Sequence, residues 1–76
     1  MLDKIRDIMT RYVDLDPEDI KEDSKLAEEL GLTSFAVMSM MGDFEEEFGI
    51  TVVEDEMTDI YTVKDIIDYI EKKQAE

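Results

Sequence analysis

The sequence contains no cysteine and no histidine, and only one proline and three glycines among its 76 residues. Without cysteine there is no disulfide framework. Without either residue, neither a His/Cys metal site nor a histidine-based triad can be assembled. No apolar run approaches the length that spans a membrane. The first residues, MLDKIRDIM, carry charges throughout and lack the apolar stretch of a signal peptide. The length predicts one domain over residues 1–76, near the lower limit of what folds without covalent or metal staples. A cytoplasmic setting is expected, since nothing in the composition asks for an oxidising compartment.

Positive charge is also scarce. Eight basic residues face 22 acidic ones, for a net charge of −14. Nucleic acid is an unsuitable partner, because its phosphates select Lys and Arg. An anionic membrane surface is unsuitable for the same reason. Proteins with basic patches remain, reached by electrostatic steering. The chain is 43% hydrophobic, and its apolar residues recur at helical spacing, which separates it from a disordered acidic tail.

Leu2, Ile5, Ile8, Met9 and Tyr12 form the apolar stripe of a first helix. That helix is expected to end near Val13, where Asp14, Asp16 and Pro17 form a turn cluster. Residues 14–33 then make a long connection. It is expected to be pinned to the core by Leu15, Ile20, Leu26, Leu30 and Leu32, because long free loops are uncommon in compact domains. A short helical turn is expected at Pro17–Ile20. A second helix is predicted from Ser34 to Phe48, capped by Thr33 or Ser34 and stopped by Gly49. An extended stretch at 50–53 and a brief third helix near 55–60 follow. Thr62 caps the last helix, with Asp65 completing an approximate capping box. Val63, Ile66, Ile67 and Ile70 are its buried stripe, and Lys72 and Lys73 suit the negative end of its dipole. The fold class is therefore all-α: a small bundle of three main helices and one short one.

At about 100° per residue, Val37, Met40, Met41, Phe44 and Phe48 share one arc of the second helix. Phe35 and Met38 fall outside it. They read either as a contact patch beside Ser34 or as side chains covered by the long loop. Ser34 also has two readings. By position alone a serine before a helix is most often a plain N-cap. The free N–H groups and positive dipole end at a helix start would equally support an anionic group on its oxygen.

The run Glu29-Leu30-Gly31-Leu32-Thr33-Ser34-Phe35, followed by Phe44-Glu45-Glu46-Glu47-Phe48-Gly49-Ile50, resembles the acyl carrier protein family. That family shows a leucine- and glycine-containing loop, then Asp-Ser-Leu, then a helix ending in Glu-Glu-Glu-Phe-Gly. The opening helix, the Asp-Pro-Glu-Asp-Ile turn at 16–20 and the tail from Thr62 to Ile70 fit as well, so the resemblance covers essentially the whole chain.

It implies a non-catalytic carrier with 4′-phosphopantetheine esterified to Ser34. A phosphopantetheinyl transferase takes that arm from coenzyme A with Mg²⁺, and the arm's thiol then carries acyl groups as thioesters. The implied partners are that transferase and the acyl-transferring and synthase enzymes of fatty-acid biosynthesis, met by a monomer. A bundle of this kind can also shelter an acyl chain, and the soft Met9, Met40 and Met41 would suit a core that repacks around guests.

Two departures matter. Thr33 stands where the family has Asp, and Ala36 and Ser39 stand where it has acid in the first turns of the second helix. Acid resumes at Asp43, Glu45, Glu46 and Glu47. Partner contact is therefore expected at Thr33, Phe35, Met38, Glu45 and Glu46, with less weight on charge beside the serine. The same departure keeps open a carrier of an amino acid or polyketide unit, of D-alanyl or peptidyl type. A third reading is an acidic interaction module without a prosthetic group.

Other constellations carry less. Asp14, Asp16 and Glu18 resemble the start of a calcium loop, but Asp19 and Lys25 occupy the positions that need Gly and Glu. Loose divalent binding by acidic clusters is expected instead, with no specific metal site. Adjacent Glu45, Glu46 and Glu47 point apart on a helix and form no acid–base pair. With this charge, self-repulsion opposes the compact state. Added salt or Mg²⁺ should therefore raise the melting temperature in calorimetry or circular dichroism; a melt indifferent to both would contradict this.

Overall fold

The computed structural model describes residues 1–76. Three α-helices carry the fold: α1 (Leu2–Met9), α2 (Ser34–Phe48) and α3 (Val63–Ala75). Two 3₁₀ turns, Pro17–Asp19 and Glu54–Asp59, lie in the connections. The expected short third helix is the second of these turns. The architecture is all-helical; the sole β-type pairing is an isolated bridge between Lys25 and Thr62.

The core is a single cluster. Ile5, Ile8 and Met9 of α1 meet Met40, Met41 and Phe44 of α2 and Val63, Ile66, Tyr69 and Ile70 of α3. Phe44 is fully buried and lies 6.2 Å from the ring of Phe48. Truncating such a residue to Ala costs about 3–5 kcal/mol, so this cluster outweighs any single polar contact in the molecule.

Four sequence expectations need correction. First, α1 ends at Met9 rather than Val13. Arg11 N–H donates to Ile8 O and Tyr12 N–H to Met9 O, so the chain tightens into 3₁₀-type winding. Val13 still reaches the core. Second, Leu15 is 41% exposed and is no anchor; Ile20, Leu26 and Leu32 are buried in the core and Leu30 packs partly buried against it. Third, α3 buries Tyr69 and leaves Ile67 only half-buried. Tyr69 can be buried because its hydroxyl has partners, accepting from Val53 N–H and donating to Glu56. Fourth, Val37 and Phe48 flank the α2 stripe and are only partly buried.

Backbone bonds also zip the long connection to the start of α3. Leu26 N–H donates to Tyr61 O (2.9 Å), Val63 N–H to Ser24 O (3.1 Å) and Lys64 N–H to Glu22 O (2.8 Å). Arg6 Nε donates to Ile20 O at 2.7 Å and fastens the first 3₁₀ turn to α1. A 20-residue connection (14–33) thus behaves as part of the scaffold, which fixes where α2 begins.

The capping box at α3 is present in full. Thr62 Oγ1 accepts from Asp65 N–H, and the Asp65 carboxylate accepts from the N–H groups of Tyr61 (2.9 Å) and Thr62 (3.0 Å). The Tyr61 N–H, then that of Thr62, hold the Asp65 carboxyl below its ordinary value of 3.8. A carboxyl depressed on folding stabilises the protein above its unfolded value and loses that contribution as pH falls through the folded value. Asp65→Asn keeps an acceptor oxygen but not the charge. In urea titrations the stability gap between wild type and D65N should be full at neutrality and close as pH drops through and below 3.8. A gap independent of pH would contradict the assignment.

Candidate functional site

The approach to α2 is set by backbone geometry. Gly31 adopts φ +70°, a left-handed conformation that side chains disfavour. Leu32 then buries its side chain, with its N–H donating to Leu26 O at 2.9 Å. Thr33 follows in extended conformation, and its Oγ1 accepts from Ala36 N–H at 3.1 Å. Thr33 is therefore the N-cap. This separates the two readings of Ser34. It is the first residue inside the helix, it is exposed, and its hydroxyl is not used to tie off the backbone.

The electrostatics are equally simple. α2 has no acidic residue in its first turn, and residues 33–42 carry no charge at all. The Ser34 and Phe35 N–H groups precede the first bond of the helix, which Val37 N–H makes to Thr33 O. The positive end of the helix dipole thus meets no acid from α2 itself beside the Ser34 oxygen and favours an anionic substituent there. No ionisable side chain is hydrogen-bonded to Ser34, while Lys25, Glu28 and Glu54 line the cleft that it borders.

Ser34 also borders the largest cleft of the protein, about 470 Å³ in volume. The cleft lies between the start of α2, the long connection and the second 3₁₀ turn. Its apolar lining includes Leu26, Leu32, Val37, Met38, Met57 and Ile60. The methionines facing it are Met38 and Met57; Met9, Met40 and Met41, expected to serve a guest, are fully buried in the core cluster. Met57, Ile60 and Tyr61 escaped sequence reasoning. They sit in a short turn and its exit, where no periodicity marks a face, and only tertiary folding carries them to Ser34.

The other predicted contact residues divide into two groups. Phe35 is 82% exposed and Met38 37%, so the long connection does not cover them. They stand with Thr33 and Ser34 at one end of α2. Glu45 and Glu46 lie some three turns away, about 18 Å along the axis at 1.5 Å per residue. Glu46 is exposed. Glu45 is half-buried, and its carboxylate accepts from Val52 N–H at 2.8 Å, tying the 50–53 stretch to α2. Gly49, at φ +63°, closes the helix there, with Ile50 N–H bonded back to Glu45 O. No three carboxylates converge into a metal-holding group.

The division of labour between Thr33 and Ser34 has a thermodynamic signature. Thr33→Ala should cost about 1 kcal/mol of stability through the lost cap. Ser34→Ala should change stability by no more than about 0.5 kcal/mol, as for surface sites without special contacts. Paired denaturation curves would show the contrast; equal losses would mean that Ser34 shares the cap.

Comparison with known proteins agrees with this geometry. The family described as a phosphopantetheine attachment site matches residues 3–70. The acyl carrier protein of Thermotoga maritima is 37% identical over 70 residues, covering 92% of this chain and 86% of that protein. That of Wolinella succinogenes is 35% identical over 71 residues, covering 93% of each. Among solved structures, the Thermotoga maritima acyl carrier protein superposes with a TM-score of 0.81 at 32% identity, covering 95% of this chain and 84% of that one. The Enterococcus faecalis acyl carrier protein gives 0.78 at 25% identity, with 95% and 91% covered. A helical bundle with a free serine at the mouth of its second helix, matched over nearly its whole length, belongs to the acyl carrier protein family of non-catalytic, phosphopantetheine-bearing carriers.

Proposed function

We propose that Ser34 is the residue that bears 4′-phosphopantetheine, and that the protein carries fatty-acyl groups in fatty-acid biosynthesis. The observation that supports Ser34 above all is that Thr33 takes the cap, leaving the neighbouring hydroxyl exposed and unbonded. The residues present fit the group: the Ser34 oxygen would accept the ester, and the helix start would offset the phosphodiester charge. The bound arm supplies the thiol that this cysteine-free chain lacks, and so the chemistry of thioester formation. No side chain of the protein is hydrogen-bonded to the Ser34 hydroxyl. Its proton would leave to a base of the transferase.

The cleft supports an alkyl cargo. Eight of its 13 lining residues are hydrophobic and it opens beside Ser34, which suits a hydrocarbon chain; Lys25, Glu28 and Glu54 are the charged members of the lining. The uncharged first turns of α2 favour the second reading, a carrier of an amino acid or polyketide unit. The cleft outweighs them because it addresses the cargo, whereas the helix surface addresses the partner.

Partners that reach Ser34 must cover the neighbouring Phe35 and Met38, the exposed apolar groups in the first turns of α2. The proposed partners are the phosphopantetheinyl transferase and the synthase enzymes, attracted at long range by the acidic surface and seated at short range on these two side chains. Glu46 would meet a basic patch further along the helix; Glu45, held by Val52 N–H, would add less. The fourteen-residue core closes within one chain, which fits the proposed action as a monomer; a cytoplasmic site of action is part of the same proposal.

Incubation with coenzyme A, Mg²⁺ and a broad-specificity phosphopantetheinyl transferase should add one phosphopantetheine by intact-mass spectrometry. Ser34→Ala should abolish the gain while leaving the melting curve in place. Failure of several transferases to modify the wild-type chain, or modification that persists in S34A, would refute the assignment and favour an interaction module without a prosthetic group.

A further inference from the structure

One wall of the cleft is held in an unusual way. The 3₁₀ turn Glu54–Asp59 contributes Glu54, Met57 and Thr58 to the lining. No residue of this turn is buried. Met57 is its one apolar side chain and is only partly buried against the core, so burial gives the turn a single partial anchor. Four of its six residues are acidic (Glu54, Asp55, Glu56 and Asp59), and repulsion from a chain of net charge −14 acts to push it outward.

What opposes this is a polar cluster on the side chains of α3. The Tyr69 hydroxyl accepts from Val53 N–H at 3.1 Å, just before the turn. It donates to Glu56 Oε1 at 2.7 Å, inside the turn. Lys73 Nζ meets the same Glu56 oxygen at 2.7 Å. Two of its three members are sheltered: Tyr69 is buried and only 10% of the Lys73 side chain is exposed, whereas Glu56, at 35%, stays in reach of solvent. Lys73 Nζ also stands 5.6 Å from the centre of the Tyr69 ring. Two groups of α3, the Tyr69 hydroxyl and the Lys73 ammonium, thus share one carboxylate oxygen of the turn, and the same hydroxyl holds the Val53 N–H; in a partly dehydrated setting each bond is stronger than at the open surface. α3, fixed by its capping box and by Ile66 and Ile70 in the core, is the rigid side of this latch.

We infer that Tyr69 and Lys73, through Glu56, set the position of the Glu54–Asp59 wall and thereby the ability of the cleft to keep an acyl chain out of water. Neither residue lines the cleft, so both are positioning residues. The inference rests on the carrier function proposed above and adds to it the part of the chain that governs cargo enclosure. A cargo too short to enter the cleft is indifferent to the latch. A longer alkyl chain depends on it, because its enclosure requires the wall in place.

The test has two arms. In the first, the unloaded protein is studied by amide hydrogen exchange. Tyr69→Phe keeps the ring and removes both hydroxyl bonds; Lys73→Met keeps the apolar stem and removes the ammonium. Exchange at Val53 and Met57 should speed up by about fivefold in each, the factor equivalent to one net hydrogen bond, while amides at the centre of α2 stay unchanged. In the second, the wild type and both variants are loaded with acetyl or octanoyl phosphopantetheine, and thioester cleavage by hydroxylamine is followed by mass. In the wild type the octanoyl form should be cleaved more slowly than the acetyl form. Tyr69→Phe and Lys73→Met should erase that difference by raising the octanoyl rate alone.

Unchanged exchange at Val53 and Met57, or octanoyl protection that survives both variants, would overturn the inference. So would a wild type that protects octanoyl no better than acetyl. Inability to load Ser34 would instead refute the carrier function, and the exchange arm would still decide whether the latch holds the wall. Should Tyr69→Phe fail to fold, Lys73→Met provides both readouts.

Discussion

A single hydrogen bond governs the chemistry of this molecule: Ala36 N–H to Thr33 Oγ1, at 3.1 Å. A helix start leaves four N–H groups without partners, and one nearby hydroxyl is normally committed to them. Because Thr33 provides that hydroxyl, Ser34 can enter the helix with its own oxygen unencumbered. The remaining N–H groups and the dipole then work in its favour, since an esterified phosphate would sit where the field is most positive. The bond depends in turn on the path of the chain before it. Left-handed Gly31 and buried Leu32 deliver Thr33 in the extended conformation that a cap requires.

The long connection is therefore part of the site. It is held by three buried apolar anchors and by backbone bonds to residues 61–64, so that the loop before α2 and the start of α3 share one framework. That shared framework carries the cleft. Its floor comes from the connection, one side from α2 and the other from the second 3₁₀ turn. The three contributions differ in how they are secured. Two rest on apolar burial; the third rests on the contacts of Tyr69, Glu56 and Lys73.

Charge is distributed with the same asymmetry. Most of the few cations pair with carboxylates: Lys4 with Glu47, Arg11 with Asp43, Lys25 with Glu28, Lys64 with Asp68 and Lys73 with Glu56. The four other than Lys73 are exposed pairs of 3.1–3.8 Å, and such pairs contribute about 0–1 kcal/mol each. Lys73 is the exception, with its side chain largely sheltered. Excess acid is left over most of the surface, while the ten residues from Thr33 to Gly42 remain uncharged. The acid and the exposed apolar Phe35 and Met38 thus occupy different parts of the surface.

Much of this was legible in the sequence because it depends on local chemistry. Helical spacing, the Thr62–Asp65 box, the Gly49 stop and the start of α2 at Ser34 all follow from interactions within a few residues. The absence of Cys and His narrows the available chemistry on composition alone. Where the reading erred, the path of the folded chain decided. α1 stops at Met9, where Arg11 and Tyr12 N–H bond three residues back, and the Tyr12 hydroxyl beyond it donates to Asp43 of α2. Leu15 is left in solvent because the loop path turns it away from the core. Tyr69 is buried because partners from residues 53 and 56 come to its hydroxyl. The sequence alone determined that three main helices form and that a serine opens the second one, since those are nearest-neighbour matters. Only the tertiary structure decided that this serine is free and faces an apolar cleft with a polar-latched wall, since that required segments some thirty residues apart to meet.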